Sequence, residues 1–102
     1  MPGAPACRWK GVWRHESAND PVLLYSELDS ERWELRKVEV YADGRMDRAD
    51  AESQTGSTWL SVEPLPPIEE IRAQEPFEPE TISAAEFEAI WQAATRQVHG
   101  PS

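Results

Sequence analysis

The amino-acid sequence predicts an α+β fold, an antiparallel sheet of about four to five strands packed by a C-terminal helix, with a short helix before it. Residues 21–51 contain segments rich in aliphatic and aromatic residues around an Asp-Gly pair, a pattern typical of antiparallel strands. Residues 83–98 instead place apolar residues at helical spacing behind a capping sequence. The first stretch therefore predicts the sheet, and the second predicts the helix that covers it.

A chain of 102 residues is long enough for one domain with a modest core. We expect residues 7–99 to form that domain, with residues 1–6 and 100–102 as tails. No apolar run has the length of a membrane span, and the first ten residues lack the apolar centre of a secretory signal. The single cysteine, Cys7, fits a reducing compartment. We therefore expect a cytoplasmic protein without a membrane partner.

Alternation with a period of two predicts the first two strands. From Cys7 to His15, Trp9 and Trp13 fall on one face and basic residues fall mostly on the other. Residues 17–21 form a dense turn signal. Val22 to Leu28 then carries apolar residues on both faces, which indicates an inner strand covered on both sides.

The third predicted strand, Arg32 to Tyr41, changes phase along its length. Trp33 and Leu35 occupy odd positions, whereas the later valines occupy even positions. A regular strand would send these two pairs to opposite faces. Two explanations are open: the sheet is partly covered on both faces, or a β-bulge near Arg36–Lys37 resets the phase.

Asp43-Gly44 predicts a two-residue hairpin turn of type I′, which requires positive φ at both positions. The resulting register would place Glu39 opposite Arg48. It would also place Lys37 opposite Asp50, so that two cross-strand ion pairs support the hairpin. These pairs account for the hairpin aspartates without a metal ion, since their spacing matches no calcium loop.

Prolines interrupt the chain after the hairpin. Thr58 to Val62 is predicted to be a short last strand, which ends at Pro64 because proline cannot donate within a sheet. Residues 68–73 are predicted to form the short helix, with Ile68 and Ile71 facing inward. Residues 75–80 are expected to be an extended loop held open by its prolines.

The C-terminal helix has the clearest local signals. Ser83 and Glu86 form a capping box at its start. We expect its apolar stripe to pack across the sheet against Leu24, Val38 and Val40. The stripe consists of Phe87, Ile90, Trp91, Ala94 and Val98.

Four phrases of the sequence together resemble a small bacterial family known only as a domain of unknown function. The phrases are PVLLYSELD at 21–29, RWELRKVEVY at 32–41, EPLPPIEEI at 63–71 and ISAAEFEAIW at 82–91. The similarity extends from about Trp9 to Trp91. It implies a stand-alone bacterial protein and carries no activity or catalytic residue with it. In size and acidity the chain is also similar to the immunity proteins that neutralise bacterial toxins, which is an analogy.

The charge distribution favours a protein partner. The formal net charge is −9, which argues against a nucleic-acid partner. Residues 62–91 hold eight acids and one base, Arg72, whereas residues 1–50 are nearly balanced. We expect an immunity- or antitoxin-like protein that docks a basic protein partner through residues 63–80; a solvated acidic surface is the alternative explanation. The candidate binding residues are Glu63, Glu69, Glu70, Glu75, Glu78 and Glu80.

An alternative function is a small-molecule or peptide-binding module with an aromatic pocket on the sheet. Trp9 and Trp13 are its candidate binding residues, although both could instead belong to the core. No catalytic residue, cofactor or metal is predicted, because the chain lacks nucleophile elbows, phosphate-binding glycine loops and Cys/His ligand spacing. An edge strand, either Cys7–His15 or Thr58–Val62, could pair two copies into a homodimer.

Overall fold

The computed structural model describes residues 4–13, 20–55, 58, 60–61, 64–73 and 77–98, and it confirms the α+β fold. Within these residues, five antiparallel strands form one sheet, and from one edge to the other they are Met46–Ala49, Glu34–Val40, Leu23–Asp29, Pro5–Trp13 and Phe77–Ile82. Neither helix is long and apolar enough within the described residues to cross a membrane. The elements are β1 (Pro5–Trp13), β2 (Leu23–Asp29), β3 (Glu34–Val40), β4 (Met46–Ala49), α1 (Ile68–Arg72), β5 (Phe77–Ile82) and α2 (Ala84–Val98).

One edge of the sheet differs from the prediction. β2 is an inner strand, as its apolar pattern predicted, but β1 is also inner because β5 pairs with its other side. The prediction that Cys7–His15 is an edge strand is therefore wrong over the described part of that strand. β1 begins at Pro5, two residues before the predicted start, and His15 lies outside the described residues.

The predicted strand at Thr58–Val62 is also wrong at its described positions, 58, 60 and 61. Thr58 donates its hydroxyl proton to Glu39, and the Ser61 N–H donates to Glu34 at 2.7 Å. Both carboxylates belong to β3. The segment is therefore attached to the sheet by side-chain contacts instead of pairing with it as a strand.

The fifth strand is instead the segment predicted to be an extended loop. Pro79 lies in β5 opposite Gly11, and proline is tolerated there because β5 is an edge strand. The Pro79 carbonyl accepts a hydrogen bond from Arg72 Nη2 at 3.4 Å, from outside the sheet. The missing N–H and the occupied carbonyl together reduce the ability of this edge to pair with another strand.

Both explanations for the phase change in β3 are correct. Glu27 lies opposite Arg36 and Leu28 lies opposite Glu34, so Leu35 is an extra residue in a β-bulge. The bulge is one residue earlier than predicted. The sheet is also covered on both faces, by α2 on one face and by α1 with its preceding segment on the other.

The larger core cluster lies under α2. The helix begins with Ser83 as its N-cap, whose Oγ accepts the Glu86 N–H at 3.0 Å, as the capping box predicted. Val38 and Val40 contact the helix as expected, but Leu24 lies on the opposite face, since the neighbouring Tyr25 faces α2. The cluster consists of Leu23, Tyr25, Val38, Val40, Met46, Ile82, Phe87, Ile90, Trp91 and Ala94.

The smaller core cluster lies on the other face. Trp9 and Leu28 of the sheet pack against Ile71, the buried residue of α1. Ile68 packs against the same cluster, as predicted for the inward face of the short helix. Cys7 and Leu65 complete the cluster.

The predicted register of the hairpin is wrong by one residue. Glu39 lies opposite Asp47 rather than Arg48. The loop contains three residues, since the Tyr41 N–H donates to the Arg45 carbonyl at 2.8 Å, and Gly44 adopts φ 91°. This geometry resembles the three-residue hairpin with glycine in the left-handed position.

A contact from α2 explains why this register is selected. The Gln97 side chain accepts the Met46 N–H and donates to the Gly44 carbonyl at 3.1 Å. The helix therefore binds the backbone at the point where the loop ends and β4 begins. Because a one-residue slip moves every side chain to the other face, Arg48 now faces α2 and lies 5.1 Å from the centre of the Trp91 ring. The predicted Glu39–Arg48 pair is therefore absent.

We predict that Trp91→Ala lowers the free energy of unfolding by about 3–5 kcal/mol, because Trp91 is only 8% exposed and anchors α2 on the sheet. Urea unfolding followed by circular dichroism measures this loss. Gln92→Ala is the matched control, since Gln92 is exposed on the same helix and should change stability by less than about 0.5 kcal/mol. Equal losses in the two variants would contradict the assignment of the α2 core.

We predict that the double variant Pro79→Thr/Arg72→Ala associates with itself more strongly than the parent chain. Threonine restores an N–H at the β5 edge, and removal of Arg72 frees the Pro79 carbonyl. Sedimentation velocity over a concentration series measures the association. Arg72→Ala alone, which leaves Pro79 in place, should behave like the parent, and unchanged association in the double variant would sink this account of the edge.

Candidate functional site

The described acidic residues predicted for binding lie around the β5 edge. Glu69 and Glu70 are exposed on α1, which packs against β5, while Glu78 and Glu80 are exposed on β5 itself. Two of the predicted acids, Glu63 and Glu75, lie outside the described residues. The structure therefore brings four of the six predicted acids to one edge of the sheet.

These four acids occupy both faces of the sheet. Glu80 lies opposite Lys10, and the Lys10 ammonium contacts Glu80 at 3.2 Å and Glu86 of α2 at 3.5 Å. Glu78, two residues earlier on β5, shares the α2 face with Glu80. The α1 helix carries Glu69 on the opposite face, because α1 packs on the Trp9 cluster.

We call this surface the acidic edge, and it includes one residue that the sequence did not assign to binding. Glu86 was assigned to helix capping alone, and its exposed carboxylate joins Glu80 only because α2 starts directly beside β5. The hydrogen bond with Glu80 holds the pKa of Lys10 above its ordinary value. The acidic edge consists of Glu69, Glu70, Glu78, Glu80 and Glu86.

The two candidate tryptophans do not form one pocket. Trp9 is only 8% exposed and belongs to the core cluster beneath α1. Trp13 is half-buried at the end of β1, opposite Phe77. Trp13 lies four positions after Trp9 along the strand, a distance of roughly 13 Å. Trp9 therefore serves mainly as a core residue.

Trp9 also forms part of the wall of a cleft between the sheet and α1. This cleft has a volume of about 100 Å³ and is partly open to solvent. Its position follows from the fold, because alternate residues of β1 and β5 form its floor while the helix and the β2–β3 loop form its sides. The lining residues are Cys7, Arg8, Trp9, Arg32, Ile68 and Thr81.

A buried ion cluster lies beneath α2. The Glu27 side chain is only 3% exposed, and its carboxylate accepts hydrogen bonds from Arg8 Nε at 3.0 Å and Arg36 Nε at 2.7 Å. Arg36 also pairs with Glu88 of α2. Its guanidinium lies 5.0 Å from the ring centre of Phe87, which adds a cation–π contact.

The electrostatics of Glu27 follow from these contacts. Burial raises the pKa of the carboxyl group, but the hydrogen bonds and charges of Arg36 and Arg8 outweigh that effect and hold the pKa of Glu27 below its ordinary value of 4.5. The hydrogen bond to Glu27 in turn raises the pKa of Arg36. The cluster is thus ionised at neutral pH and joins three strands to α2.

The other face of the sheet contains a second buried carboxylate, Glu34, at 6% exposure. Its oxygens accept the Ser26 hydroxyl at 2.6 Å and the Ser61 N–H at 2.7 Å. These bonds attach the segment before α1 to the sheet. Among the described residues, no group of three or more His, Cys, Asp or Glu side chains is placed to hold a metal ion.

Comparison with known proteins identifies the family. Residues 9–96 match the family model DUF6881, described as a domain of unknown function. The chain belongs to the DUF6881 family. No curated protein and no solved structure matches it. The resemblance to a family of unknown function is thus confirmed, and the family description assigns no activity to the DUF6881 domain.

We predict that acid destabilises this DUF6881 domain partly through Glu27. Because the folded-state pKa of Glu27 lies below the unfolded value of 4.5, its contribution is complete above that pH and is lost as the pH falls through the folded pKa. Glu27→Gln should lower the unfolding free energy at pH 7 by about 3–5 kcal/mol, since both arginines lose their buried counter-charge.

Urea unfolding of the parent, Glu27→Gln and the control Glu52→Gln between pH 7 and pH 3 tests this prediction. Glu52 is exposed, so its variant should follow the parent at every pH. The Glu27 variant should lose less stability on acidification than the parent does. Parallel pH profiles for the parent and the Glu27 variant would show that this carboxylate does not contribute.

Proposed function

We propose that this protein binds a basic protein partner through the acidic edge, in the manner of an immunity or antitoxin protein. The observation that carries the proposal is the imbalance of charge around β5. Five exposed carboxylates surround this strand, and among the described residues the basic groups beside them are Lys10 and Arg72. Such a surface attracts cationic partners and raises their association rate.

The imbalance arises from where the chain places its cations. Arg8 and Arg36 are drawn inward to the buried Glu27. Arg48 lies over the Trp91 ring. These three arginines contribute to the formal charge but little to the outer surface. The surface around β5 is therefore more negative than the formal net charge of the chain would indicate.

Side chains, rather than an added strand, are the contacts that this surface offers. Pro79 interrupts the row of N–H donors on the β5 edge, and Arg72 occupies its carbonyl. A partner would instead place lysine or arginine side chains on both sides of β5, toward Glu69 on one face and Glu78 on the other. Charge pairs of this kind set partner choice and the rate of association.

Charge reversal at the acidic edge tests the proposal. We predict that Glu70→Lys/Glu78→Lys weakens binding of the native partner by about tenfold or more. On both faces of β5, attraction between a carboxylate and the basic partner is replaced by repulsion between like charges. Tagged parent and variant would be used to capture proteins from native lysate at low salt, with quantitative mass spectrometry. The captured protein would then be purified and its dissociation constant measured at two salt concentrations.

A matched control carries the same change in net charge at the opposite edge of the sheet. Ala51→Lys, Glu52→Lys and Gln54→Lys together add the same positive charge in the exposed loop after β4. The dissociation constant of this variant for the partner should stay within about twofold of the parent value, because salt screens charges at such a distance from the acidic edge. Equal retention of the partner by the acidic-edge variant and the parent would refute the proposed surface.

A further inference from the structure

We propose that the cleft between β1, β5 and α1 binds a small carboxylate. This site is separate from the acidic edge and does not depend on the proposed protein partner. The proposal rests on the donors that line the cleft, on a buried indole N–H without an acceptor, and on an arginine held in an unusual backbone conformation.

The lining offers hydrogen-bond donors and no carboxylate. The donors among its six residues are the Arg32 guanidinium, the Thr81 hydroxyl, the Cys7 thiol and the Trp9 indole, whereas the Arg8 guanidinium lies on the α2 face of the sheet. This composition is the reverse of the chain as a whole, which carries a net charge of −9. Arg8 directs its guanidinium to Glu27, so Arg32 supplies the available positive charge.

Trp9 provides the second observation. Its Nε1 is buried, and it has no hydrogen-bond partner in the described part of the chain. A buried donor without an acceptor is rare, because the lost hydration costs about 1–3 kcal/mol. Trp9 is also part of the wall of the cleft. Nε1 has almost no accessible surface, so a carboxylate seated against this wall reaches the indole N–H only after a small shift of the ring, and it would then supply the acceptor that the described residues do not provide.

Arg32 is positioned at the cleft by strain and by hydrogen bonds. It has φ 69°, the only non-glycine positive φ among the described residues, in a turn fixed by the Asp29 carboxylate. Its Nε donates to the Leu65 carbonyl at 2.9 Å, and its Nη2 donates to the Pro66 carbonyl at 2.6 Å.

These bonds leave one nitrogen of Arg32 available. Nη1 has no hydrogen bond to any described residue, and the bonds that Arg32 makes to described residues are all to carbonyl groups. A non-glycine residue keeps a positive φ only where the surrounding structure holds it there. The guanidinium is therefore preorganised, so that binding a carboxylate costs little additional side-chain entropy.

The size of the cleft limits the ligand. A volume of about 100 Å³ suits a group of a few non-hydrogen atoms with one apolar side. Ile68 and the Trp9 ring supply apolar surface, while Arg32 supplies the charge. A short-chain carboxylate such as propionate fits these requirements, and an affinity near millimolar is typical of so small a ligand.

The test titrates the ¹⁵N-labelled full chain with sodium propionate and follows the tryptophan indole N–H resonances. The Trp9 signal is assigned by comparison with Trp9→Phe. We expect the Trp9 resonance to move downfield saturably with a dissociation constant of about 1–10 mM. Propionamide, which has the same shape without the charge, should bind at least tenfold more weakly. No saturable shift, or equal shifts with the two compounds, would overturn the proposal.

Two variants with one matched control locate the site. Arg32→Gln should weaken propionate binding by tenfold or more, while Arg96→Gln, which removes one positive charge from an exposed position on α2, should change it by less than twofold. Thr81→Leu fills the cleft from an exposed position and should abolish binding even if Arg32→Gln is poorly folded. Equal affinity in the parent and Thr81→Leu would show that the cleft is not the site.

A second arm identifies the source of the carboxylate. An acetylated tripeptide with a free C-terminus is compared with its amidated form in the same titration. Tighter binding of the free-acid peptide than of propionate would assign the cleft to a chain terminus. Tighter binding of propionate would assign it to a free small acid. Binding of the amidated peptide as tightly as the free acid would contradict recognition of a carboxylate.

Discussion

A buried carboxylate is stable only when cationic donors compensate for its lost hydration. Glu27, at the centre of the sheet, is such a carboxylate. Its two partners, Arg8 and Arg36, come from β1 and β3, the strands on either side of β2. The ion cluster therefore requires this strand order. Arg36 extends the requirement to α2, because the same guanidinium pairs with Glu88 and contacts the Phe87 and Trp91 rings. One charge thus links three strands to the helix that covers them.

The same arrangement connects the fold to the proposed binding surface. Cations drawn toward Glu27 and Trp91 leave the outer surface around β5 with an excess of carboxylates. The edge strand itself is poorly suited to pairing, since Pro79 lacks an N–H and Arg72 occupies its carbonyl. The proposed recognition at this edge would therefore depend on side-chain charge. The cleft beside Trp9 has no carboxylate in its lining and is the contrasting surface, while Glu69 and Glu70 of the acidic edge lie on the same short helix as its lining residue Ile68.

Part of the candidate site could be predicted from composition, and part depended on distant contacts. The exposed acids Glu69, Glu70, Glu78 and Glu80 were identified by charge alone, because a run of carboxylates is seldom buried. Glu86 was missed, since its role beside Glu80 depends on where α2 begins relative to β5. The cleft donor Arg32 was also missed. Its position depends on a positive φ and on carbonyl groups more than thirty residues away in the chain, at Leu65 and Pro66.

The sequence by itself determined the fold class, the burial of β2 on both of its faces and the start of α2. Periodicity and capping act over a few neighbouring residues, so local patterns are enough for these features. Tertiary structure alone decided the hairpin register, which Gln97 of α2 selects by binding the loop end. It also decided which proline-containing segment became the fifth strand. Thr58 and Ser61 are held on the sheet by the carboxylates of Glu39 and Glu34, which leaves the free edge of β1 to Phe77–Ile82. Strand partners depend on contacts between residues far apart in the chain, and local patterns do not contain that information.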